Sequence, residues 1–171
     1  MRADRLVERL AGATIGETFN QYADPRLAER LRVYLESRAR ARFLLVGEAA
    51  GYRGARISGL PFTSERQLTG RGPGEASATI VQRTLAELRL ADEMLLWNVV
   101  PTHPGTQTSN RRPERAEVDD SRPFLDELAR GRRVIAVGRL AEAVTGARYV
   151  RHPSHGGARA FASGLALAVA E

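Results

Sequence analysis

The chain has 171 residues, enough for one folded domain with a buried core, and 43% of them are hydrophobic, as in ordinary soluble folds. It has no cysteine, which excludes disulfides, thiolate metal sites, iron–sulfur clusters and cysteine nucleophiles. No apolar run approaches the roughly 18 residues of a membrane span, and the first residues, MRADRLVERL, lack a secretory hydrophobic region, so a cytoplasmic protein is expected.

The chain is basic, with 26 Lys plus Arg against 20 Asp plus Glu and a net charge of +6. Arginine carries this positive charge, and its guanidinium is suited to bidentate contacts with phosphate. A polyanionic partner is one interpretation, and an arginine-rich genome is the other. Charge alone therefore does not choose a function.

The predicted elements alternate between helix and strand. Asp24 supplies an N-cap and Pro25 the first helical position of an amphipathic helix over 25–40. Four short apolar runs predict strands, at 42–46, 93–97, 133–137 and 147–150. Helical patterns lie between and after them, at about 75–90, at about 114–130 with an interruption at Pro123, in RLAEAVTG, and at about 158–170.

Strands that alternate with helices predict a parallel sheet covered on both faces, because parallel strands need crossover connections. We predict a three-layer α/β/α sandwich with a central four-stranded parallel sheet. No repeat or linker divides the chain, so one domain over 1–171 is expected, with an N-terminal helical segment at about 1–40. Ligands of such folds gather beyond the carboxyl ends of the strands, where this chain carries GEAAG, NVVPTHP and RHPSHGG.

The first of these clusters opens a glycine-rich loop, VGEAAGYRGARISGLPFTSE, whose spacing fits neither a dinucleotide nor a nucleoside-triphosphate motif. Glu48 follows the strand on a tight turn, and Phe62 offers an aromatic face a short distance on. An acid and a stacking platform suit a planar ring with a reactive bond. The alternatives are a solvated Glu48 in a surface turn and a Phe62 packed in the core.

The other two clusters add hydrogen-bonding groups. Asn98 directly follows EMLLW, and its amide offers a donor and an acceptor that match a pyrimidine edge, although Asn is also a common turn residue. His103 is interpreted as a loop cap. His152 precedes a proline and is restricted to extended conformations. Three residues bring a hydroxyl and backbone N–H groups to a helix start, which suits an anion: Ser154, Gly156 and Gly157.

At these residues the sequence resembles the uracil-DNA glycosylase superfamily, through VGEAAG and RHPSHGG with LPFTSE and WNVVP in order between them, over about residues 19–165. The resemblance implies a monofunctional DNA N-glycosylase of base excision repair. Such an enzyme flips uracil, or a related deaminated base, out of DNA and hydrolyses its N-glycosidic bond to leave an abasic site. It implies a monomer whose partner is DNA containing the damaged base, with no membrane, cofactor or metal.

The resemblance also implies roles. Bond cleavage builds positive charge on the sugar and negative charge on the base. Glu48 would stabilise the sugar or hold the attacking water, and His152 would donate to uracil O2. Phe62 would stack on the flipped base and Asn98 would read its edge. Gly47 and Tyr52 would lie beside the base. The bulk of Tyr52 would exclude the methyl group of thymine.

Contacts to DNA are implied for the residues after the last strand. Ser154 and the amides of Gly156 and Gly157 would clamp a backbone phosphate. His155 or Arg159 would fill the space left by the flipped nucleotide.

Departures from the family pattern keep alternatives open. Ala50 replaces the proline usual in GEAPG and is expected to loosen the turn, and the closest branch carries an iron–sulfur cluster that this chain cannot hold. A catalytically silent member that binds nucleic acid or a nucleobase is the second hypothesis. A metal-dependent hydrolase using Glu48 and the three histidines is the third, and it is disfavoured because the H-x-x-H spacing at 152–155 crosses a proline in a loop.

Overall fold

The computed structural model describes residues 3–171, so residues 1 and 2 of the predicted domain lie outside the described part. Its centre is a parallel four-stranded sheet in the order β2–β1–β3–β4. The strands are β1 (Phe43–Ala49), β2 (Met94–Val100), β3 (Arg133–Val137) and β4 (Arg148–Val150). The predicted α/β/α sandwich with four parallel strands is confirmed.

Strands β1 and β2 continue past their predicted ends. The apolar runs stop at Gly47 and Asn98, but the backbone stays paired beyond them, with Gly47 opposite Asn98 and Ala49 opposite Val100. Ladder pairing depends on the backbone, so a polar side chain at a strand end does not end the strand. The first polar cluster therefore begins on β1 itself.

Helices and short turns connect the strands. They are α1 (Ala3–Ala11), a 3₁₀ turn (Gln21–Ala23), α2 (Pro25–Ser37), α3 (Ala55–Ser58), α4 (Glu65–Thr69), α5 (Ala76–Glu87), α6 (Arg115–Ala129), α7 (Arg139–Thr145) and α8 (Ala158–Ala170). Helix α2 begins as predicted, because the Asp24 side chain accepts a hydrogen bond of 2.9 Å from the Arg26 N–H. Within residues 3–171 no helix is long and apolar enough to cross a bilayer.

Helix α6 differs from the prediction, because it runs through Pro123 without a break. A proline inside a helix costs about 3 kcal/mol through its lost N–H and its steric clash. Phe124, Leu125 and Leu128 follow it and are all buried. Each such side chain contributes roughly 1.5–3 kcal/mol, so their packing outweighs the proline.

The two faces of the sheet bury different helices, because side chains alternate along a strand. One core contains Leu44 and Val46 of β1 together with apolar residues of α1, α2 and α6. The other contains Phe43 and Leu45 of β1 together with apolar residues of α5 and α8. These are the three layers of the sandwich.

The N-terminal segment is tied to the carboxyl end of the sheet. Asn20 donates from its side-chain amide to the carbonyl oxygens of Leu10 at 2.7 Å and Ala13 at 3.0 Å, which fixes the turn after α1. Phe19 then forms two backbone hydrogen bonds with His103, of 2.9 and 3.0 Å. The segment therefore supports the loop that follows β2.

Candidate active site

A cavity of about 480 Å³ opens at the carboxyl ends of the strands. Glu48 from β1, Asn98 from β2 and Phe62 from the loop after α3 line it, and His152 and Ser154 after β4 complete that side. The structure thus brings together one residue or more from each of the three predicted polar clusters. They meet because parallel strands end at the same edge of a sheet.

Gly47 allows two of these side chains to meet. A Cβ atom at Gly47 would collide with the Phe62 ring and would lie 2.7 Å from Asn98 Oδ1. Gly47 does not itself line the cavity, but it leaves the space under Phe62 and Asn98 that any side chain would fill. A glycine is needed here for close approach, as in strands that other groups approach closely.

Asn98 presents an unused amide to the cavity. The residue is only 4% exposed, and among residues 3–171 its side chain has no hydrogen-bond partner. Buried amides are normally paired, since an unpaired polar group costs about 1–3 kcal/mol. A free donor and a free acceptor at the cavity wall are therefore available to a ligand.

Phe62 is held in a strained conformation beside this amide. Its φ of 50° lies in the left-handed region that large residues rarely adopt. The Gln82 side chain donates to the Phe62 carbonyl at 3.1 Å, and the Ser58 hydroxyl donates to the next carbonyl, of Thr63, at 2.6 Å. These bonds fix the loop, so the ring stays in the wall of the cavity with 8% of the residue exposed.

His152 is a neutral hydrogen-bond donor in this arrangement. The Ser154 N–H lies 3.2 Å from His152 Nδ1, and because an N–H can only donate, Nδ1 accepts. The Ser154 hydroxyl lies 2.7 Å from the same nitrogen. Burial, and then the neighbouring His155, lower the pKa of His152. The neutral ring therefore carries its proton on Nε2, which has no partner among residues 3–171.

Glu48 lies at the mouth of the cavity. Its side chain is exposed, and it makes no hydrogen bond or ion pair with the described residues. The carboxylate is therefore free to face a positive charge or to hold a water molecule.

The turn after Glu48 is tied down, contrary to the expectation for Ala50. The Ala50 N–H donates to the Val100 carbonyl at 3.3 Å, a bond that a proline could not make. The Ala50 carbonyl lies 2.7 Å from Nδ1 of the buried His103, whose Nε2 is 2.7 Å from the Thr106 carbonyl. His103 therefore links two loops, which agrees with its interpretation as a loop cap.

The structure does not bring every predicted residue into the cavity. Tyr52 does not line it; its backbone N–H donates to Asn110 Oδ1 at 2.9 Å, and Arg53 lies over its ring. Arg159 is exposed on α8, outside the lining. His155 does line the cavity, as an exposed residue with a positive φ of 51°.

The two glycines after Ser154 serve the loop rather than the lining. The Gly157 N–H donates to the Ser154 carbonyl at 3.0 Å, so it is not free to bind phosphate, which contradicts part of the predicted clamp. A Cβ on Gly157 would strike the His152 carbonyl. Gly156 has φ 75°, an exposed left-handed position that favours glycine.

Four charged or amide residues of the lining were missed from the sequence: Glu75, Asn110, Arg111 and Arg139. Glu75 stands directly before α5, where an acid has the pattern of a helix start. Arg111 pairs with the buried Glu117, and Arg139 pairs with Glu142 at 2.8 Å. Of these four residues, only Glu75 had a signal in the sequence. Gly51 and Gly54 in the glycine-rich loop leave room for a side chain from another part of the chain.

The residues do not form a metal centre. Within the part of the chain that the structure describes, no group of three or more His, Asp or Glu residues gathers as metal ligands. His103 is engaged with two carbonyl oxygens, so it cannot join His152 and His155 as the metal hypothesis required.

Comparison with known proteins decides the family. The family model described as the uracil DNA glycosylase superfamily matches residues 35–166, most of the chain. The chain belongs to this superfamily. The resemblance carried by the strand-end motifs is thereby confirmed.

One solved structure shares the fold of this chain. The crystal structure of wild-type SMUG2 from Pedobacter heparinus superposes with a TM-score of 0.70 at 13% identity. The match covers 98% of this chain and 96% of the other. No curated protein matches the chain in sequence. The two proteins therefore share one fold over nearly their whole lengths.

Proposed function

We propose that this superfamily member is a monofunctional DNA glycosylase that extracts uracil, or a related deaminated base, and hydrolyses its bond to deoxyribose. The observation that carries the proposal is the free amide of Asn98 beside the Phe62 ring in one cavity. A flipped base needs a face to stack on and partners for its hydrogen-bonding edge. These two side chains supply both.

The remaining residues suit the charges of the reaction. As the C1′–N1 bond breaks, its electron pair leaves with the base, and Nε2–H of His152 donates to the resulting anion at O2. The sugar gains oxocarbenium character, which the Glu48 carboxylate stabilises while it orients the water that adds to C1′. The water loses one proton as it bonds to C1′, the base anion gains one proton, and the products are an abasic site and the neutral free base.

The DNA strand lies across the mouth of the cavity. Arg111 and Arg139 line it and place positive charge at the phosphates, although each also has an acidic partner. His155 projects from the loop after β4 at the rim, where it suits the space that a flipped nucleotide leaves. Base extraction costs a few kcal/mol, least for a mispaired base, and phosphate contacts help to offset that cost.

Base release tests this proposal directly. Single-stranded and mismatched duplex oligonucleotides carrying uracil, hypoxanthine or xanthine are incubated with the protein, and abasic sites are cleaved with alkali. Uracil release is expected. Salt-dependent DNA binding with no abasic product from any base would instead support the catalytically silent alternative.

Two substitutions test the roles within the site. Glu48→Ala and His152→Ala are each expected to lower kcat about 100-fold, if each group supplies about 3 kcal/mol in the transition state. DNA affinity should change little. Glu87→Ala, an exposed acid at the far end of α5, is the control and should keep the wild-type rate. Equal losses of binding and rate would contradict the assigned roles.

A further inference from the structure

Glu75 occupies space that the glycine-rich loop leaves empty. A Cβ on Gly51 would strike Glu75 Oε1, and a Cβ on Gly54 would strike Oε2. Gly51 has no positive φ, so its backbone does not require glycine, whereas Gly54, with φ −105° and ψ −115°, lies outside the backbone regions that other residues prefer. Both glycines leave room for the Glu75 carboxyl group, which forms the part of the cavity wall that loop side chains would otherwise form.

This carboxyl group has no partner in the protein. Glu75 lines the cavity with Glu48 and Asn98, and no hydrogen bond or ion pair to its carboxylate is found within residues 3–171. Its burial raises the pKa of Glu75. An unpaired, partly buried carboxylate lowers stability, so its partner is expected among the molecules that enter the cavity.

The proposed function determines which part of the base meets this wall. In uracil, N1 is joined to the sugar, O2 faces His152, and N3–H and O4 face the Asn98 amide. The C5–C6 edge of the ring remains, and the Glu75 carboxyl, which lies against Gly51 and Gly54 of the glycine-rich loop, is the buried charged group that is left to face it. The loop wall and the free edge are therefore opposite each other.

We propose that Glu75 is a specificity-determining residue that excludes bases with an apolar substituent at C5. With uracil, which carries only hydrogen at C5, the carboxylate keeps a water molecule in front of it. A methyl group there removes that water and offers no hydrogen bond in return, and a site with an unpaired polar group discriminates strongly in this way. The inference rests on the proposed function, and it assigns to Glu75 the selectivity that Tyr52 was predicted to supply.

The test compares uracil with thymine, which differ by this one methyl group. The ratio of kcat/KM for uracil to that for thymine is measured in mismatched duplexes for the wild type, Glu75→Ala, Glu75→Gln and Tyr52→Ala. Glu75→Ala is expected to lower the ratio at least tenfold, and Glu75→Gln to lower it less, because an amide is easier to desolvate than a carboxylate. Tyr52→Ala should leave the ratio unchanged.

Binding of the free bases keeps the two proposals separable. Calorimetric titration with uracil and with thymine needs no catalysis, so it is informative even if no base is released and the proposed function fails. The wild type should bind uracil at least tenfold more tightly than thymine, and Glu75→Ala should lose that difference. Parallel losses for both bases, or an unchanged ratio in variants with a wild-type circular dichroism spectrum, would overturn the role of Glu75. Glu87→Gln controls for the loss of an acid, since Glu87 lies at the opposite end of α5 from Glu75.

Discussion

Gly47→Ala perturbs the site by one methyl group placed where Phe62 and Asn98 meet. The new Cβ would overlap the end of the Phe62 ring and lie 2.7 Å from Asn98 Oδ1. Phe62 and Asn98 both line the cavity and are buried on their other sides, so they can yield only into the space that the base would occupy. Both side chains must therefore shift.

The magnitude follows from overpacking. An extra methyl in a packed core typically costs about 1–3 kcal/mol, which in a domain of this size lowers Tm by roughly 2–12 °C. Domains of ordinary stability, about 5–15 kcal/mol, remain folded after such a loss. Since both displaced groups contact the base in the proposed function, kcat/KM for uracil should fall at least tenfold, about 1.4 kcal/mol in the transition state.

Thermal unfolding and uracil release measured on the same preparations check this prediction. Gly12→Ala is the matched control, because its Cβ would meet only the Glu8 carbonyl at an ordinary 3.7 Å. That variant should keep the wild-type Tm and rate. If Gly47→Ala unfolds at the wild-type temperature and releases uracil at the wild-type rate, Gly47 is not the spacer that positions Phe62 and Asn98.

Three further predictions concern stability. Glu75→Gln should raise the free energy of unfolding near neutral pH, because the raised pKa of Glu75 makes its ionised form unfavourable in the folded state; the gain should vanish in denaturant titrations at about pH 3, where the carboxyl is neutral in both states. Arg111→Ala should cost about 3 kcal/mol at neutral pH by leaving the buried Glu117 unpaired. Because Arg111 holds the pKa of Glu117 below its usual range, the cost of Arg111→Ala should shrink in acid, where Glu117 becomes protonated. An equal cost at neutral and at acidic pH would contradict this role of Arg111. His103→Ala should lower stability by about 1–3 kcal/mol in urea titrations, since at least one of the two loop carbonyls beside its ring nitrogens loses its hydrogen-bond donor, whereas an unchanged midpoint would show that His103 does not hold the loops.

Much of the fold could be predicted from the sequence, because its signals are local. The start of α2 follows from Asp24 and Pro25, whose side chains act on their own turn. The strands follow from short apolar runs, and their alternation with helices is enough to predict a parallel sheet. The prediction failed at Pro123 because the cost of a proline is local, whereas the packing that outweighs it comes from distant elements.

For the candidate site, the sequence indicated which residues were capable of the chemistry. The motifs around Glu48, Asn98 and His152 follow strands, and the carboxyl ends of parallel strands lie at one edge of a sheet, so the sequence predicts that these motifs converge. The LPFTSE motif likewise predicted that Phe62 would stack on the base.

The remaining features of the site depend on tertiary contacts. These contacts join residues far apart in the chain, and no local sequence pattern predicts them. The donor nitrogen of His152 depends on Ser154, and the tied turn at Ala50 depends on Val100 and His103. The sequence alone made Tyr52 the neighbour of the base and left Glu75 as a helix start. Only the packing of α5 against the glycine-rich loop places the Glu75 carboxyl in the cavity wall, where Gly51 and Gly54 leave room for it.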